Sequence, residues 1–422
     1  MTHFVVVGAG QAGASLVARL RAKGFEGRIT LVGDEDAPPY QRPPLSKGYL
    51  LGEISRERLF LRPERFYGEQ KIDLLTGRKV TAIDTSVRSL TLAGPDGAEE
   101  SLSYDALALT TGSRPRHLPA AIGGALKGVH VVRTLADVDA MAPEFAEGRR
   151  ALIVGGGYIG LEAAAVACKL GVAVTVVEMG ERILQRVAAP ETSERFRQLH
   201  AAHGVDLREG VGLERLTEGE ADAGDGRGDG RVHAAQLTDG STLEVDFVIV
   251  GVGILPETEL AEAAGLAVED GIRVDALGRS SAPDVWAAGD CANFPLGEGR
   301  LRLESVQNAI DQAEAVADNM MGAETPYVPR PWFWSDQYDA KLQIAGLNTG
   351  YDRVVVRAAP EAAEDLSAPV SYWYFRGDTL LAVDAINDPR SYMVGKRLIE
   401  AGRSPEPAQV ARHDLPVKEL LG

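Results

Sequence analysis

Cysteine is scarce in this chain. Only Cys168 and Cys291 occur among 422 residues, and neither belongs to a C-x-x-C or another metal-type spacing. The sequence therefore argues against a disulfide framework and against a thiolate metal site, and we expect no bound metal. Both cysteines are predicted to be buried, unreactive thiols, because free cysteine behaves as a small apolar side chain.

Long apolar runs and an excess of positive charge are missing too. No apolar run approaches the roughly 18 residues that a membrane-spanning helix needs, and the first predicted strand begins at Phe4, which leaves no room for a signal peptide. The net charge is −17, from 44 Lys and Arg against 61 Asp and Glu. That balance argues against nucleic-acid binding, which needs a basic face, but it leaves room for a small basic patch. We expect a cytoplasmic protein without a membrane or nucleic-acid partner.

Glycine, in contrast, is concentrated in two matching places. Residues 4–13 read FVVVGAGQAG and residues 151–160 read ALIVGGGYIG. Each is an apolar, strand-like run that breaks into G-x-G-x-x-G and continues as a helical pattern, which is the context of a dinucleotide-binding fingerprint. The first glycine permits the turn, the second lets the backbone approach a pyrophosphate, and the third lets the helix pack on the strand. Two fingerprints in one chain predict two bound nucleotides and electron transfer between them.

An acidic residue follows each fingerprint near the end of a second predicted strand. Glu178 lies 18 residues beyond Gly160. A carboxylate at that point binds ribose hydroxyls and repels a 2′-phosphate, so that NADH is favoured over NADPH. The alternative is a solvated strand-end glutamate, and Arg182 or Arg186 would weaken the inference by turning toward a phosphate. In the first unit the acidic residue is offset by one, so that Asp34 is either a ribose ligand or a turn residue.

The order of predicted elements places the chain in the α/β class, with two Rossmann-like nucleotide-binding domains and a C-terminal α+β domain. The predicted boundaries are 1–117 and 248–324 for the two parts of the first domain, 118–247 for the second and 325–422 for the third. Residues 285–290 are predicted to be a strand that meets a helix. The acidic, glycine-rich residues 218–230 lack the spacing of a calcium loop, and a flexible hairpin tip is predicted there.

Six short motifs give the chain a resemblance to a known family. They are GAGQAG at 8–13, RPPLSK at 42–47, TGSRP at 111–115, GGGYIGLE at 155–162, AGD at 288–290 and PWFWSDQ at 331–337. Together, and over essentially the whole chain, they resemble the oxygenase-coupled NADH–ferredoxin reductases. This group belongs to the FAD-dependent pyridine nucleotide-disulfide oxidoreductase superfamily but has no redox disulfide. RPPLSK and PWFWSDQ are the specific motifs, because a general flavoprotein need not carry either.

The resemblance implies FAD on the first fingerprint and NADH on the second. The residues that it assigns to FAD are Gly8, Gly10, Ala12, Gly13, Asp34, Arg42, Lys47, Val80, Arg133, Asp290, Val306 and Trp334. Those that it assigns to NAD are Gly155, Gly157, Tyr158, Ile159, Gly160, Glu178 and Gly253. Asp290 would bind the ribityl or phosphate region, with a helix N-cap as its alternative, and Val306 would offer its N–H to the flavin pyrimidine edge. Trp334 would pack near the isoalloxazine, unless it is a core aromatic.

The resemblance gives a catalytic role to Lys47, Glu162 and Tyr158. Lys47 and Glu162 would form an ion pair beside flavin N5, where hydride arrives, and the lysine would stabilise negative charge on the reduced flavin. Taken alone, Lys47 is a loop lysine and Glu162 a first-turn glutamate favoured by the helix dipole. Tyr158 would cover the flavin face until nicotinamide displaces it, with packing at the helix start as its alternative.

The implied activity is that of an NADH:ferredoxin oxidoreductase. Hydride would pass from NADH to FAD, and single electrons would pass on to a [2Fe–2S] ferredoxin that supplies a monooxygenase or a Rieske dioxygenase. Related disulfide reductases carry a cysteine pair in the loop after the first helix, whereas residues 37–47 contain no cysteine. Electrons must therefore leave directly from the flavin.

Three alternative functions remain open. A rubredoxin reductase shares the scaffold, an NADH oxidase is disfavoured by the missing cysteine, and an NADH-sensing flavoprotein of the apoptosis-inducing-factor type would be expected to carry a targeting segment or basic tail. Oxygenase ferredoxins are commonly acidic, as is this chain. We therefore expect a local basic patch that includes Arg300, Arg302, Lys396 or Arg397. A monomer or a weak homodimer is expected.

Overall fold

The computed structural model describes residues 1–219 and 230–422, so that most of the predicted hairpin tip at 218–230 lies outside the described residues. The chain forms two compact units. Unit 1 consists of Met1–Arg42, Ser55–Arg114 and Ile254–Pro331, and unit 2 of Pro43–Ile54, Pro115–Gly253 and Trp332–Gly422. The finer division into three domains, with the boundaries given above, stays a prediction.

Strands and helices alternate in parts of the described chain, and longer runs of consecutive strands separate these parts. In chain order the strands are β1 (His3–Val7), β2 (Arg28–Val32), β3 (Ile72–Leu75), β4 (Lys79–Asp84), β5 (Ser89–Ala93), β6 (Glu99–Ser103), β7 (Ala106–Leu109), β8 (Ser113–Pro115), β9 (Val129–His130), β10 (Arg150–Val154), β11 (Ala173–Glu178), β12 (Asp206–Glu209), β13 (Leu213–Glu218), β14 (Val232–Leu237), β15 (Thr242–Glu244), β16 (Phe247–Val250), β17 (Ile254–Pro256), β18 (Ile272–Arg273), β19 (Val285–Ala287), β20 (Ala292–Leu296), β21 (Gly299–Leu301), β22 (Trp332–Gln337), β23 (Ala340–Gly346), β24 (Arg353–Ala358), β25 (Val370–Arg376) and β26 (Thr379–Ile386). The α-helices are α1 (Gln11–Ala22), α2 (Arg56–Leu59), α3 (Arg65–Glu69), α4 (Leu135–Met141), α5 (Tyr158–Lys169), α6 (Pro190–Ala202), α7 (Glu259–Ala263), α8 (Val306–Met320), α9 (Pro389–Glu400) and α10 (Pro407–Val410).

Unit 1 is built on a parallel sheet with the strand order β19-β7-β1-β2-β3. Helix α1 returns the chain from β1 to β2, as a βαβ crossover requires. Its predicted apolar stripe is confirmed, because Leu16, Val17 and Leu20 are fully buried and pack in one cluster with Ala313 and Ala317 of α8. The carboxyl ends of β1 and β2 therefore meet at the edge where the first glycine-rich turn lies.

The chain after β19 departs from the sequence prediction. We expected a helix to follow residues 285–290, and that expectation is wrong. The backbone turns at Gly289, whose φ of +84° is left-handed, and enters β20. Ala292, Asn293 and Phe294 are all buried in this strand, and Pro295 disfavours a helix at this point. The next helix, α8, begins only at Val306.

Unit 2 contains a second parallel sheet and two antiparallel ones. The parallel sheet has the order β12-β11-β10-β16-β9, and α5 connects β10 to β11. The smaller antiparallel sheet is β13-β14-β15. The larger one, β22-β23-β26-β25-β24, carries α9 and confirms the predicted short alternating strands near the C-terminus. Buried Arg357 holds the following tail by donating to the carbonyl oxygens of Val410 and Arg412 at 3.0 and 2.6 Å.

The two cysteines differ in burial. Cys291 is fully buried in unit 1, as predicted, whereas Cys168 near the end of α5 is half-buried, less than the prediction of a buried thiol implied. Burial raises the pKa of both thiols, which keeps them protonated at neutral pH. Among the described residues, none of the helices is both long and apolar enough to cross a membrane.

Candidate functional site

The first glycine-rich turn joins β1 to α1 in unit 1. Gly8 has a φ of +107°, and a Cβ there would fall on the carbonyl oxygen of Thr110. A Cβ on Gly13 would fall in the same way on the carbonyl oxygen of Gly8, whereas the corresponding position on Gly10 has nothing within 4 Å. Packing therefore requires the first and third glycines. The second leaves open space at a helix N-terminus, which suits an anionic group such as a pyrophosphate.

The second turn joins β10 to α5 in unit 2 and has the same construction. Gly155 has a φ of +108°, and its Cβ would fall on the carbonyl oxygen of Gly251. A Cβ on Gly160 would fall on the carbonyl oxygen of Gly155, and again the position on Gly157 is open. Ile159, in the first turn of α5, leaves 45% of its surface exposed beside this space.

Glu178 is the last residue of β11, at the strand end where the sequence predicted it. Its Oε2 accepts a hydrogen bond of 2.7 Å from the Gly156 N–H, and its Oε1 accepts one of 2.7 Å from the Gly180 N–H. The carboxylate is thus fixed beside the glycine-rich turn. Arg182 is committed elsewhere, because it donates to Ser193 Oγ and to the Ala188 carbonyl oxygen. Gly253 follows β16 with a φ of +98°, and Arg186 Nη2 lies 3.8 Å from where its Cβ would be.

The corresponding strand end in unit 1 carries a different arrangement. Asp34 is exposed just beyond β2, and the next residue, Glu35, makes the side-chain contacts. Glu35 accepts from the Tyr40 hydroxyl and from Arg42 Nη2, both at 2.6 Å. Burial lowers the pKa of Arg42, but Glu35 and Tyr40 raise it by more, so that the guanidinium stays charged. The sequence pattern gave no indication of Glu35.

Other residues assigned to FAD also lie in unit 1. Asp290 is half-buried and accepts a 2.8 Å hydrogen bond from Ser113 Oγ. The N-cap alternative for Asp290 is wrong, because β20 and not a helix follows it. Val306 begins α8, so its N–H has no acceptor within the helix. Ala12 and Val80 are buried side chains of α1 and β4.

Lys47 and Glu162 form an ion pair within unit 2. Lys47 follows the 3-10 turn Pro43–Ser46, and Glu162 lies on α5. The distance from Lys47 Nζ to Glu162 Oε2 is 2.7 Å, with 20% of the lysine side chain and 5% of the glutamate side chain exposed. The two residues that the resemblance paired are therefore brought together, largely shielded from water.

Two serines complete the surroundings of this carboxylate. Ser46 Oγ donates to Glu162 Oε2 at 2.9 Å, and Ser335 Oγ on β22 donates to Oε1 at 2.7 Å. Both serines are buried, and sequence reasoning missed both. Their positions could have indicated them, because each serine lies inside one of the two specific motifs, RPPLSK and PWFWSDQ.

The aromatic residues of the predicted site also lie in unit 2. Tyr158 begins α5 and packs on Phe333 with ring centroids 4.8 Å apart. Burial raises the pKa of Tyr158, whose hydroxyl finds no hydrogen-bond partner among residues 1–219 and 230–422. Trp334 is half-buried, packs against Trp332 at 5.5 Å and lies outside the buried clusters of the described chain, so it is no core aromatic. Arg133 precedes α4 and donates its N–H to Asp137 Oδ2 at 3.1 Å.

Comparison with known proteins agrees with this construction. The family described as pyridine nucleotide-disulphide oxidoreductase matches residues 2–313, and a second family, described as reductase C-terminal, matches residues 332–421. This chain belongs to the pyridine nucleotide-disulphide oxidoreductase family. The membership confirms the predicted α/β fold, the flavin-dependent oxidoreductase class and the cofactors FAD and NAD(H). Within the described residues, no group of three His, Cys, Asp or Glu side chains is placed to hold a metal ion.

Individual relatives indicate which class of oxidoreductase within the family this chain resembles. It is 43% identical over 425 residues to the 5,5'-dehydrodivanillate O-demethylase ferredoxin reductase subunit of Sphingobium sp., covering 100% of this chain and 99% of the relative. It is 40% identical over 427 residues to putidaredoxin reductase from Pseudomonas putida, covering 99% and 96%. The crystal structure of the covalent putidaredoxin reductase–putidaredoxin complex matches with a TM-score of 0.91 at 39% identity, covering 100% and 98%. The predicted resemblance to oxygenase-coupled ferredoxin reductases is confirmed.

Proposed function

We propose that this chain is the reductase component of an oxygenase system and carries electrons from NADH through FAD to a [2Fe–2S] ferredoxin. The observation that carries the proposal is the shielded Lys47–Glu162 ion pair, 2.7 Å from Nζ to Oε2, in a chain whose residues 37–47 contain no cysteine. The putidaredoxin reductase relative, solved in a covalent complex with putidaredoxin, supports an iron–sulfur protein as the partner.

FAD is assigned to the first glycine-rich turn. The open space at Gly10 fits a pyrophosphate at the N-terminus of α1, and the half-buried Asp290 fits a ligand of ribityl hydroxyls. The unit 1 residues that we propose to hold FAD are Gly8, Gly10, Ala12, Gly13, Asp34, Arg42, Val80, Asp290 and Val306. In unit 2 the resemblance adds Lys47, Arg133 and Trp334.

NADH is assigned to the second turn. The open space at Gly157 fits its pyrophosphate, and the Glu178 carboxylate at the end of β11 would accept hydrogen bonds from the adenosine ribose. That carboxylate would also repel the 2′-phosphate of NADPH. The residues that we propose to hold NADH are Gly155, Gly157, Tyr158, Ile159, Gly160, Glu178 and Gly253.

The chemistry of the site divides between cofactor and protein. FAD, when bound, accepts a hydride from NADH and releases electrons singly to an iron–sulfur protein. Lys47 would supply a fixed positive charge where negative charge develops, and Glu162 would orient that charge. Tyr158, at the start of α5, would exclude water until nicotinamide takes its place.

The partner is proposed to dock through α9 in unit 2. Lys396 extends over the Trp332 ring at 5.2 Å, and Arg397 is exposed one residue further along. Arg300 and Arg302 do not fit the expected patch, because their guanidinium groups are engaged inside unit 1. Arg300 donates to Asn293 Oδ1 at 3.0 Å, and the Arg302 side chain is only 10% exposed. We also keep a cytoplasmic location and a monomer or weak homodimer as proposals.

The test is NADH-driven reduction of cytochrome c by the purified yellow protein, with and without an added [2Fe–2S] ferredoxin. Strong stimulation by the ferredoxin is expected. Equal stimulation by a rubredoxin in its place would favour the rubredoxin reductase alternative. NADH consumption that is independent of ferredoxin and matched by oxygen uptake would identify an oxidase. Flavin reduction without turnover would indicate an NADH-sensing role.

The ion pair is tested in stopped-flow measurements of flavin reduction by NADH. Lys47→Met and Glu162→Gln are each expected to slow reduction by roughly 100-fold, in line with the loss of one preorganised electrostatic group. Lys169→Met is the matched control. Lys169 lies on α5, as Glu162 does, and pairs with Glu53 at 2.8 Å, but 60% of its side chain is exposed. Equal rates in all three variants would contradict the proposed role of the pair.

A further inference from the structure

A line of side chains, all buried except the half-buried Tyr338, leads through unit 2 to the Glu162 carboxylate. Tyr338 OH lies 3.2 Å from His200 Nδ1, and His200 Nε2 lies 2.8 Å from Gln337 Oε1. Gln337 Nε2 donates to Ser335 Oγ at 3.2 Å, and Ser335 Oγ donates to Glu162 Oε1 at 2.7 Å. Tyr338, His200, Gln337 and Ser335 are called the donor chain below.

The hydrogen bonds of the donor chain all point the same way. Because the Gln337 amide uses its N–H to reach Ser335, its oxygen must accept from His200, which places the imidazole proton on Nε2. His200 Nδ1 then accepts from Tyr338. A hydroxyl has one hydrogen to donate, and Ser335 donates it to Glu162. Successive dipoles aligned in this way strengthen one another, and their positive ends face the carboxylate.

The donor chain is also shielded from water. Ser335, Gln337 and His200 are all fully buried, and strand alternation places Ser335 and Gln337 on one face of β22. Burial lowers the pKa of His200 to about 4, against an opposing contribution from Gln337, so that its imidazole is neutral at physiological pH. The amide of Gln337 does not take up and release protons at such pH values. The chain therefore orients a charge and does not conduct protons.

We propose that the donor chain is a positioning device that fixes the orientation of the Glu162 carboxylate, with Ser335 as the residue that delivers its effect. A carboxylate with Lys47 and Ser46 on one oxygen and Ser335 on the other has little freedom to rotate. The Lys47 ammonium group is thereby held in one position. The consequence for hydride transfer rests on the proposed function, in which Lys47 stands where negative charge develops.

Other titratable groups also surround Glu162. Lys47 faces it from the 3-10 turn, and Tyr158 lies one turn earlier on α5, where the charge of Glu162 helps to raise the pKa of the tyrosine. Asp384 on β26 acts on the same tyrosine. Loss of the Ser335 hydroxyl leaves all of these groups in place, so its effect isolates the donor chain.

The experiment compares Ser335→Ala with two reference variants in the holoenzyme. Ser335→Thr keeps the hydroxyl. Ser371→Ala removes an equally buried serine hydroxyl from the same sheet, where Ser371 Oγ accepts from Trp373 Nε1 at 3.1 Å. The first readout is the rate of flavin reduction by NADH. The second is the isotope-edited infrared spectrum of the glutamate carboxylates, in which the band absent from Glu162→Gln identifies Glu162.

In Ser335→Ala the rate of flavin reduction is expected to fall by roughly 10-fold, because a charge-assisted hydrogen bond that orients the carboxylate is lost. The infrared band of Glu162 should shift in the same variant, because the stretching frequency of a carboxylate depends on the hydrogen bonds that it accepts. Ser335→Thr should restore both readouts, and Ser371→Ala should change neither.

A second variant tests the direction of the chain and serves if Ser335→Ala fails to fold. In Gln337→Glu the new carboxylate would accept from both His200 and Ser335 and so turn the serine hydrogen away from Glu162, which should again slow flavin reduction and shift the infrared band of Glu162. An unchanged infrared band of Glu162 in both variants would overturn the inference. If Glu162→Gln leaves flavin reduction unchanged, the proposed function fails, while the infrared band of Glu162 still tests the donor chain.

Discussion

The two glycine-rich turns share one backbone conformation. They differ in which of two facing positions carries a side chain. In unit 1 the residue after the first glycine is Ala9, and the strand end opposite is Gly33, where a Cβ would lie 2.5 Å from the Ala9 Cβ. In unit 2 the corresponding residues are Gly156 and Glu178, and a Cβ on Gly156 would lie 3.2 Å from the Glu178 Cβ and 2.6 Å from Ile183 Cγ2. Only one of the two facing positions carries a side chain in each unit.

This difference indicates how the same kind of turn can bind two different nucleotides. The glycine at 156 admits a carboxylate against the turn, where its own N–H holds Glu178 Oε2. In unit 1 the alanine closes that space, and the acidic residues Asp34 and Glu35 are displaced outward along the chain. We infer that the phosphate-binding part of the turn is common to both units, whereas the ribose-recognising part is specific to each.

The strongest test of the shared design is Gly155→Ala. The left-handed φ of +108° and the blocked Cβ position both oppose the substitution, at a combined cost of several kcal/mol. We expect NADH affinity to fall by at least roughly 100-fold while the flavin stays bound. Gly8→Ala should have the opposite outcome, with loss of FAD from the purified protein. Affinity is measured by titration and flavin content by absorbance.

Gly204→Ala is the control for the first prediction. Gly204 lies in unit 2 with a φ of +80°, and nothing lies within 4 Å of its Cβ position. It therefore shares the conformational cost without the collision. NADH binding that suffers equally in Gly155→Ala and Gly204→Ala would show that the turn itself is not the binding element.

The units also differ in buried charge, and this predicts a pH dependence. The buried carboxylates of the described chain, Glu144, Glu162 and Asp384, all belong to unit 2. Burial raises the pKa of Asp384 to about 7, against opposing hydrogen bonds from Tyr374 and Thr192. Between about pH 4 and 7 the folded state then holds a proton that the unfolded state has lost, so the free energy of unfolding falls as pH rises.

Asp384→Asn should remove that fall. We expect the wild type to lose about 2 kcal/mol of stability between pH 5 and pH 7 through this group, and the variant to lose correspondingly less. Chemical denaturation at several pH values measures the difference. Asp378→Asn, at an exposed turn before β26, is the control and should follow the wild type. Parallel pH profiles for all three proteins would refute the assignment.

The ribose-recognising part of the turn, which is specific to each unit, is tested by Glu178→Ala combined with Met179→Arg. Met179 is 83% exposed beside the carboxylate, so an arginine there can reach a 2′-phosphate. The preference for NADH over NADPH should fall by roughly 10-fold, because hydrogen bonds to a charged group are lost and a repulsion becomes an attraction. Steady-state kinetics with both nucleotides measure the ratio. Asp34→Ala in unit 1 should leave it unchanged, and an unaltered ratio in the double variant would mean that other groups hold the ribose.

The smallest expected effect concerns the surface arginines and lysines. Lys396→Glu and Arg397→Glu should each raise the KM for ferredoxin by about 3-fold, in keeping with exposed charges at an interface rim. Arg302→Glu should lower stability and leave that KM unchanged, because Arg302 pairs internally with Asp270 and Glu304. If Arg302→Glu alone raised the KM, docking on α9 would be wrong.

Much of the fold and of the candidate site could be predicted from local sequence patterns. Both glycine turns, the strand ending at Glu178 and the apolar stripe of α1 follow from periodicity and turn chemistry within short windows. The helix expected after residues 285–290 was wrong, because the same turn signal is compatible with a strand. Ser335 was missed, because its contact with Glu162 joins positions 173 residues apart. No local window records such a pairing.

The segmented build of unit 1 has a consequence for how the protein is made. Strand β19 pairs with β7, Val285 opposite Leu107, so the edge of the parallel sheet stays unfilled while the intervening chain is synthesised. At roughly 5–20 residues per second, those roughly 180 residues keep the ribosome occupied for some ten to thirty seconds. During that time β7 exposes an open hydrogen-bonding edge of buried-type apolar residues. Nascent chains in this interval are natural clients for chaperones, and slowing translation between β7 and β19 should increase their aggregation.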